Sequence, residues 1–242
     1  LEDLYMFTLE KGLPQDTESL ALQVTKRHSH EETQALRREM ELHPLFQPEQ
    51  TYQVGQALTF GSEGNSIGTI RSIRPGNNPA YGEFIVVEVE FEDSSSVKCF
   101  AAGLGDRAPV GFPQPPELDN LTPPEALFEL YGRKWLVPKV RGALEKNEDF
   151  VEFQDKWFLK ELLAEVHMGH MNICEAMVDI AGRPLSTEEM TGELELPDTI
   201  AKEVQFFSLN YALSQMEMFI NLNESGEPKW YLRRLGPRQP QS

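Results

Sequence analysis

Five cations fall close together in the stretch GRKWLVPKVRGALEK: Arg133, Lys134, Lys139, Arg141 and Lys146. Fixed positive charge at that density can neutralise phosphates, so its chemistry would be anion contact rather than bond making. The same pattern also suits a solvated helix face that balances neighbouring acids. A second basic site is TIRSIRPGNNPAYG, where Arg71 and Arg74 flank Asn77, Asn78 and Tyr81 on a turn. Pro75-Gly76-Asn77-Asn78 there reads equally as a plain hairpin turn. Arg233, Arg234 and Arg238 form a charged tail. In AKEVQFFSLNYALSQMEMF the amides of Gln205, Asn210 and Gln215 could read base edges. That stretch carries only Lys202 as a cation, beside Glu203 and Glu217.

Residues suited to covalent or metal chemistry do not assemble. His28 and His30 lie in a polar, helical stretch, and His167 and His170 are three apart in HMGHM. Neither pair has a ligand set in sequence, so all four are expected in solvent. Gly61, Gly64 and Gly68 lack the Lys-Ser/Thr and the following helix of a phosphate loop. No Gly-x-Ser-x-Gly elbow occurs. Cys99 on a strand and Cys174 on an apolar helix stripe are expected to be packed. The expectation is a non-enzymatic protein with no cofactor and no metal.

The chain has 242 residues with 40% hydrophobic and 25% charged, room for two or three small domains. No apolar run approaches the roughly 20 residues that span a bilayer, so no membrane is expected. No leader segment is visible. The two cysteines fall in different expected domains, which fits a reducing cytoplasm rather than a disulfide framework. The net charge is −17, spread over both halves. Such a chain repels phosphate backbones at long range, so nucleic-acid contact requires a local basic patch.

The expected fold class is α+β. Residues 1–48 read as a helical segment. Asp16 or Thr17 caps a helix carrying Leu20, Ala21 and Val24, and a second helix runs Glu31 to Leu42 before Pro44 and Pro48. Residues 49–104 read as a small antiparallel sheet or SH3-like β-barrel, from GQALTF, SIGTIRSI, EFIVVEVEFED and VKCFAA. In the third run Ile85, Val87, Val89 and Phe91 share one face and Glu88, Glu90 and Glu92 the other. Ser94-Ser95-Ser96 reads as the next turn. Residues 105–121 lie in a proline-rich linker and domain boundary.

A repeat occupies the rest of the chain, over 122–163 and 168–236. ALEKNEDFVEFQDKWFL and ALSQMEMFINLNESGEPKWYL both open on Ala-Leu (Ala143-Leu144, Ala212-Leu213). Both carry a Phe (Phe150, Phe219) and close on Trp, an aromatic and Leu. Upstream, Glu125-Ala126 and Gly132-Arg133 match Glu175-Ala176 and Gly182-Arg183 at an offset of 50. In the first copy Ala126, Leu127 and Leu130 share a face, Gly132 ends that helix, and another runs Trp135 to Lys146. The second copy has room for helices near 186–194 and 201–215. Each copy then ends in a β-hairpin, the first with a tight Gln154-Asp155 turn and the second with a longer tip. Trp157 and Trp230 are expected to fill the space between hairpin and helices.

Helices followed by a β-hairpin give a winged-helix plan, a helix-turn-helix variant. On the Gly-Arg turn, the Ala-Leu, the Phe and the Trp-aromatic-Leu, the second copy resembles the HARE-type winged-helix family found in the RNA polymerase delta subunit. That resemblance implies a non-catalytic, transcription-associated role. The expected partners are DNA, bound weakly, or RNA polymerase or another protein. The alternative is a protein-protein interaction scaffold whose winged helices no longer bind DNA, for which the net charge of −17 speaks.

Overall fold

The computed structural model describes residues 1–79, 82–93, 97–109, 111–115, 118 and 121–236. Tyr81, the Ser94–Ser96 turn and Arg238 lie outside the described residues. The chain mixes helices with open antiparallel sheets, so it is α+β. It divides into two compact units, one of residues 28–122 and one that joins 1–27 to 123–242.

Among the described residues the 28–122 unit holds four strands: β2 (Ala57–Phe60), β3 (Ser66–Pro75), β4 (Ile85–Phe91) and β5 (Val97–Ala102). They form an antiparallel meander in chain order. Alternation along β4 buries Val87, Val89 and Phe91 on one face. On the other, Glu88 accepts from Ser72 at 2.6 Å and Glu90 pairs with Arg71. Phe46, Phe60 and Phe100 stack over the buried face, with centroids 4.9 Å (Phe46–Phe60) and 4.7 Å (Phe60–Phe100) apart.

The expected barrel is corrected to an open sheet. The free edge of β2 is taken by the preceding segment: Thr59 donates its N–H to Pro44 O at 3.0 Å, and Phe46 donates to Thr59 O at 2.8 Å. An edge already paired in this way is closed to β5. The proline-rich stretch is also not a free spacer. Phe112 packs on the sheet's core, and Gln47 Nε2 donates to Pro113 O at 2.8 Å.

The other unit contains one arrangement twice. The second copy is continuous: α5 (Met168–Ala181), β8 (Leu185–Ser186), α6 (Thr187–Thr191), α7 (Lys202–Ser214), β9 (Phe219–Asn221) and β10 (Lys229–Leu232). Its three strands lie in the order β8-β10-β9. The first copy begins at the N-terminus with α1 (Glu2–Lys11), β1 (Gln15–Asp16) and the start of α2 (Thr17–Leu42). It resumes after residue 122 with α3 (Pro124–Leu127), a π-helix (Phe128–Leu136), α4 (Val137–Leu144), β6 (Phe150–Phe153) and β7 (Lys156–Leu159). The strand order is β1-β7-β6, the same as in the second copy. So residues 1–27 are part of the first copy, not a separate helical segment, and the 28–122 unit interrupts that copy in sequence. The two N-terminal helices expected over 17–42 are one helix, α2.

The offset-50 match upstream of the Ala-Leu is corrected as well. Gly182 ends α5 at φ 62°, a left-handed conformation that favours glycine. Its counterpart is Gly12, which ends α1 at φ 61°. Gly132 instead lies inside the π-helix, and a Cβ there would come within 2.2 Å of the Phe128 ring. The i→i+5 bonding of a π-helix widens the turn and rotates the helix C-terminal to it. Phe128, Gly132, Val140 and Leu144 thereby face inward. Leu130, expected on the buried face, turns outward.

The first copy's core joins Leu4, Leu20 and Ala21 from the N-terminal segment to Phe128, Leu144 and Trp157. The second copy's core centres on Cys174, Leu209, Leu213, Phe219 and Trp230. Between the copies, Val151 and Phe158 of the first hairpin pack on Val204 and Phe207 of α7. The Phe158 and Phe207 rings meet edge to face at 5.8 Å.

Candidate nucleic-acid interface

In each copy the last helix before the hairpin occupies the same place in the chain order, yet the two helices meet different surroundings. In α7, Val204, Gln205, Phe207, Ser208, Leu209, Asn210 and Leu213 are buried. The amides proposed for base reading are already committed. Gln205 Nε2 donates to Pro197 O at 3.0 Å and Ile200 O at 2.9 Å. Asn210 Oδ1 accepts from Trp230 Nε1 at 2.8 Å and Thr187 Oγ1 at 2.6 Å. Only Gln215, just beyond the helix, remains exposed.

The first copy's helix keeps one side open. Leu130, Tyr131 and Trp135 are 67%, 60% and 61% exposed, unusual for side chains of that size. Tyr131 and Trp135 lie four positions apart within the π-helix, just under one of its wide turns, and Lys139 follows on α4; all three are exposed. Lys134 sits with its ammonium 4.9 Å from the centre of the Trp135 ring.

The five cations expected here divide into two groups. Arg133 is held by Glu129 at 3.2 Å and Glu18 at 3.5 Å. Arg141 is half-buried and bridges Glu152 at 3.2 Å and Asp155, which ties α4 to the first hairpin. Lys134, Lys139 and Lys146 are exposed and make no ion pair among the described residues. On the sheet unit, Arg71 is paired with Glu90, while Arg74 stands exposed near the end of β3. Arg233 donates to Glu217 O at 2.9 Å, and Arg234 pairs with Asp179 at 2.6 Å and Glu175 at 3.3 Å. The basic tail is thus largely used to hold the end of the second copy.

Other candidates also find their places. Cys174 is buried, and burial pushes its thiol up to about 11, so it is no nucleophile at neutral pH. Cys99, expected to be packed, is exposed on β5. His28, His30 and His167 are exposed as expected, but His170 is buried. It stacks on His167 with ring centroids 3.7 Å apart, and the two rings cap α5. Among the described residues no group of three or more His, Cys, Asp or Glu side chains could hold a metal ion. A groove of about 480 Å³ along the seam between the copies is lined both by apolar residues, among them Leu13, Phe153 and Phe206, and by polar ones, among them Lys156, Glu203 and Glu227. Its described lining has no serine, threonine, cysteine or histidine. Among the described residues no helix is long and apolar enough to cross a membrane.

Tyr131 and Trp135 do not stand out in the sequence, because a regular 3.6-residue period does not reveal where a wide turn resets the helix face. The signal that was available is Gly132 four residues after Phe128, an aromatic that needs the space a Cβ would fill. No protein-family model, curated protein or solved structure matches the chain.

Proposed function

We propose that this chain is a non-catalytic, transcription-associated binding protein whose two copies are winged-helix-like modules, and that it contacts DNA or RNA polymerase through the 124–144 helix of the first copy. The plan rests on element order and on strand orders β1-β7-β6 and β8-β10-β9. The transcription role is what the resemblance to the HARE-type family implies. The single observation that carries the choice of surface is the opposite fate of the two corresponding helices. α7 is buried against the first hairpin, whereas the first copy's helix leaves Lys134 and Lys139 in solvent. Two unpaired cysteines, one exposed, fit the reducing cytoplasm.

Titration of a labelled DNA duplex at low salt tests this. Binding should be weak, with a salt slope of roughly −0.9 per neutralised phosphate. Lys134→Glu with Lys139→Glu should abolish it and leave the circular dichroism spectrum unchanged, because both side chains are exposed. Arg141 is unsuitable for charge reversal, since its ion pairs brace the hairpin. Duplex binding that survives the double reversal would move the site to Arg74 and its loop. The scaffold reading has its own support in the apolar side chains beside the lysines. A native-lysate pulldown that yields the same partner with and without nuclease, and loses it on Tyr131→Ala, would favour that reading.

A further inference from the structure

We infer that the exposed stripe Tyr131–Trp135–Lys139 is a stacking platform for single-stranded nucleic acid. This rests on the first copy's helix being the contact surface, and it names the ligand class. Cations alone would serve a duplex, whose bases are already stacked on one another. An aromatic face in solvent gains most from an unpaired base laid on it, and such stacking is worth about 1–3 kcal/mol per base. Here two aromatic side chains, each about 60% exposed, stand one turn apart on a single helix face. Lys139 follows on α4, and the Lys134 ammonium lies over one face of the Trp135 ring, so a base would stack on the opposite face. Arg133 and Arg141 are each held by two carboxylates, so the free positive charge beside the rings is that of Lys134 and Lys139, both exposed and without an ion pair among the described residues.

These two lysines favour an anionic ligand, and the rings favour one with free bases. A π-helix is a second sign, since wide turns recur at functional sites. Here the wide turn is the device that brings Tyr131 and Trp135 outward while Phe128 and Val140 stay in the core. Arg133 and Arg141, held in ion pairs, fix the helix rather than the ligand.

The chain's own tryptophans supply the readout. Trp157 and Trp230 are each 2% exposed, so Trp135 alone is open to a solvent quencher. Fluorescein-labelled dT12 and rU12 are titrated with the full chain at low salt and binding is read from anisotropy in parent and variants alike, while unlabelled strands are added to the parent with tryptophan emission and acrylamide quenching recorded. A dT12·dA12 duplex serves as comparison. Both single strands should quench Trp135 and shield it from acrylamide, the tighter of the two naming the natural strand. Trp135→Ala should weaken single-strand binding about 5- to 150-fold and leave duplex binding unchanged, whereas Trp135→Phe should retain most of it. Single strands that bind Trp135→Ala as tightly as the parent, or that leave Trp135 open to acrylamide, overturn the stacking platform. Lysine-dependent duplex binding in that case would leave the proposed function standing. Absence of binding by every oligonucleotide would overturn the platform and the DNA contact together.

Discussion

The indole N–H of Trp157 donates to the hydroxyl of Thr17 at 2.9 Å, across 140 positions of sequence. That hydroxyl in turn donates to the carboxylate of Asp155 in the hairpin turn. In the second copy Trp230 Nε1 and Thr187 Oγ1 both donate to Asn210 Oδ1. Each copy therefore anchors its hairpin tryptophan with a polar group beneath it, and in each the threonine starts the second helix.

Thr17 is fully buried, so its hydroxyl cannot be replaced by water without rearrangement. Thr17→Val keeps the shape but strands the indole N–H and a hydrogen-bonding position of Asp155. The expected cost is about 1–3 kcal/mol, the usual range for an unsatisfied buried partner. Thr17→Ser should recover most of it. Equal chemical denaturation midpoints for parent and Thr17→Val would show that the bond contributes nothing.

A fragment of residues 122–242, cut at the boundary the sequence suggested, should fold only in its second copy. It lacks Leu4, Leu20 and Ala21 from the first core, and β1, which pairs with β7. Near-UV circular dichroism should show one ordered tryptophan environment in place of two. Adding a peptide of residues 1–27 in trans should restore the second. A fragment that is fully ordered alone would mean that the N-terminal segment is dispensable.

Much of the second copy was legible in sequence because it is local. Its helix–hairpin order runs without interruption from Met168 to Leu232, and each element stands next to its partner. The first copy was legible only from α3 onward. Its opening third sits ahead of a 95-residue unit, and helical periodicity carries no record of which distant segment supplies the missing core. One signal was present. Gly12-x-Pro14-x-x-Thr17-Glu18 repeats as Gly182-x-Pro184-x-x-Thr187-Glu188, at an offset of 170. Both glycines end a helix left-handed, and both threonines begin the next. The exposed aromatic stripe was hidden for another reason, since hydrophobic residues in a helix are first read as core.

Trp230 and Trp135 should separate cleanly on truncation. Trp230→Ala removes a side chain 2% exposed, packed against the second core and stacked on Phe153 at 5.9 Å. A loss of about 3–5 kcal/mol is expected. Trp135→Ala removes one that is 61% exposed and should change stability by no more than about 0.5 kcal/mol. Comparable losses for the two would show that the helix face carrying Trp135 is covered.

Acid should loosen the start of α5. His167 Nδ1 accepts from the Gly169 N–H at 3.1 Å, and His170 Nδ1 accepts from the His167 N–H at 3.4 Å. Both bonds require unprotonated nitrogens, at a helix end where positive charge is unfavourable. Burial first, then the neighbouring His167, holds His170 below its ordinary value of 6.5, against a smaller upward pull from Glu165 and Glu195. The unfolded chain therefore takes up this proton first as pH falls. The stabilisation is complete above about pH 6.5 and is lost progressively below it, down through the lowered folded value. His170→Gln keeps an acceptor but does not titrate. The difference in thermal midpoint between parent and His170→Gln should shift against the parent as pH drops from neutral towards 5. A difference that stays constant over that range would show that His170 does not couple protonation to the fold.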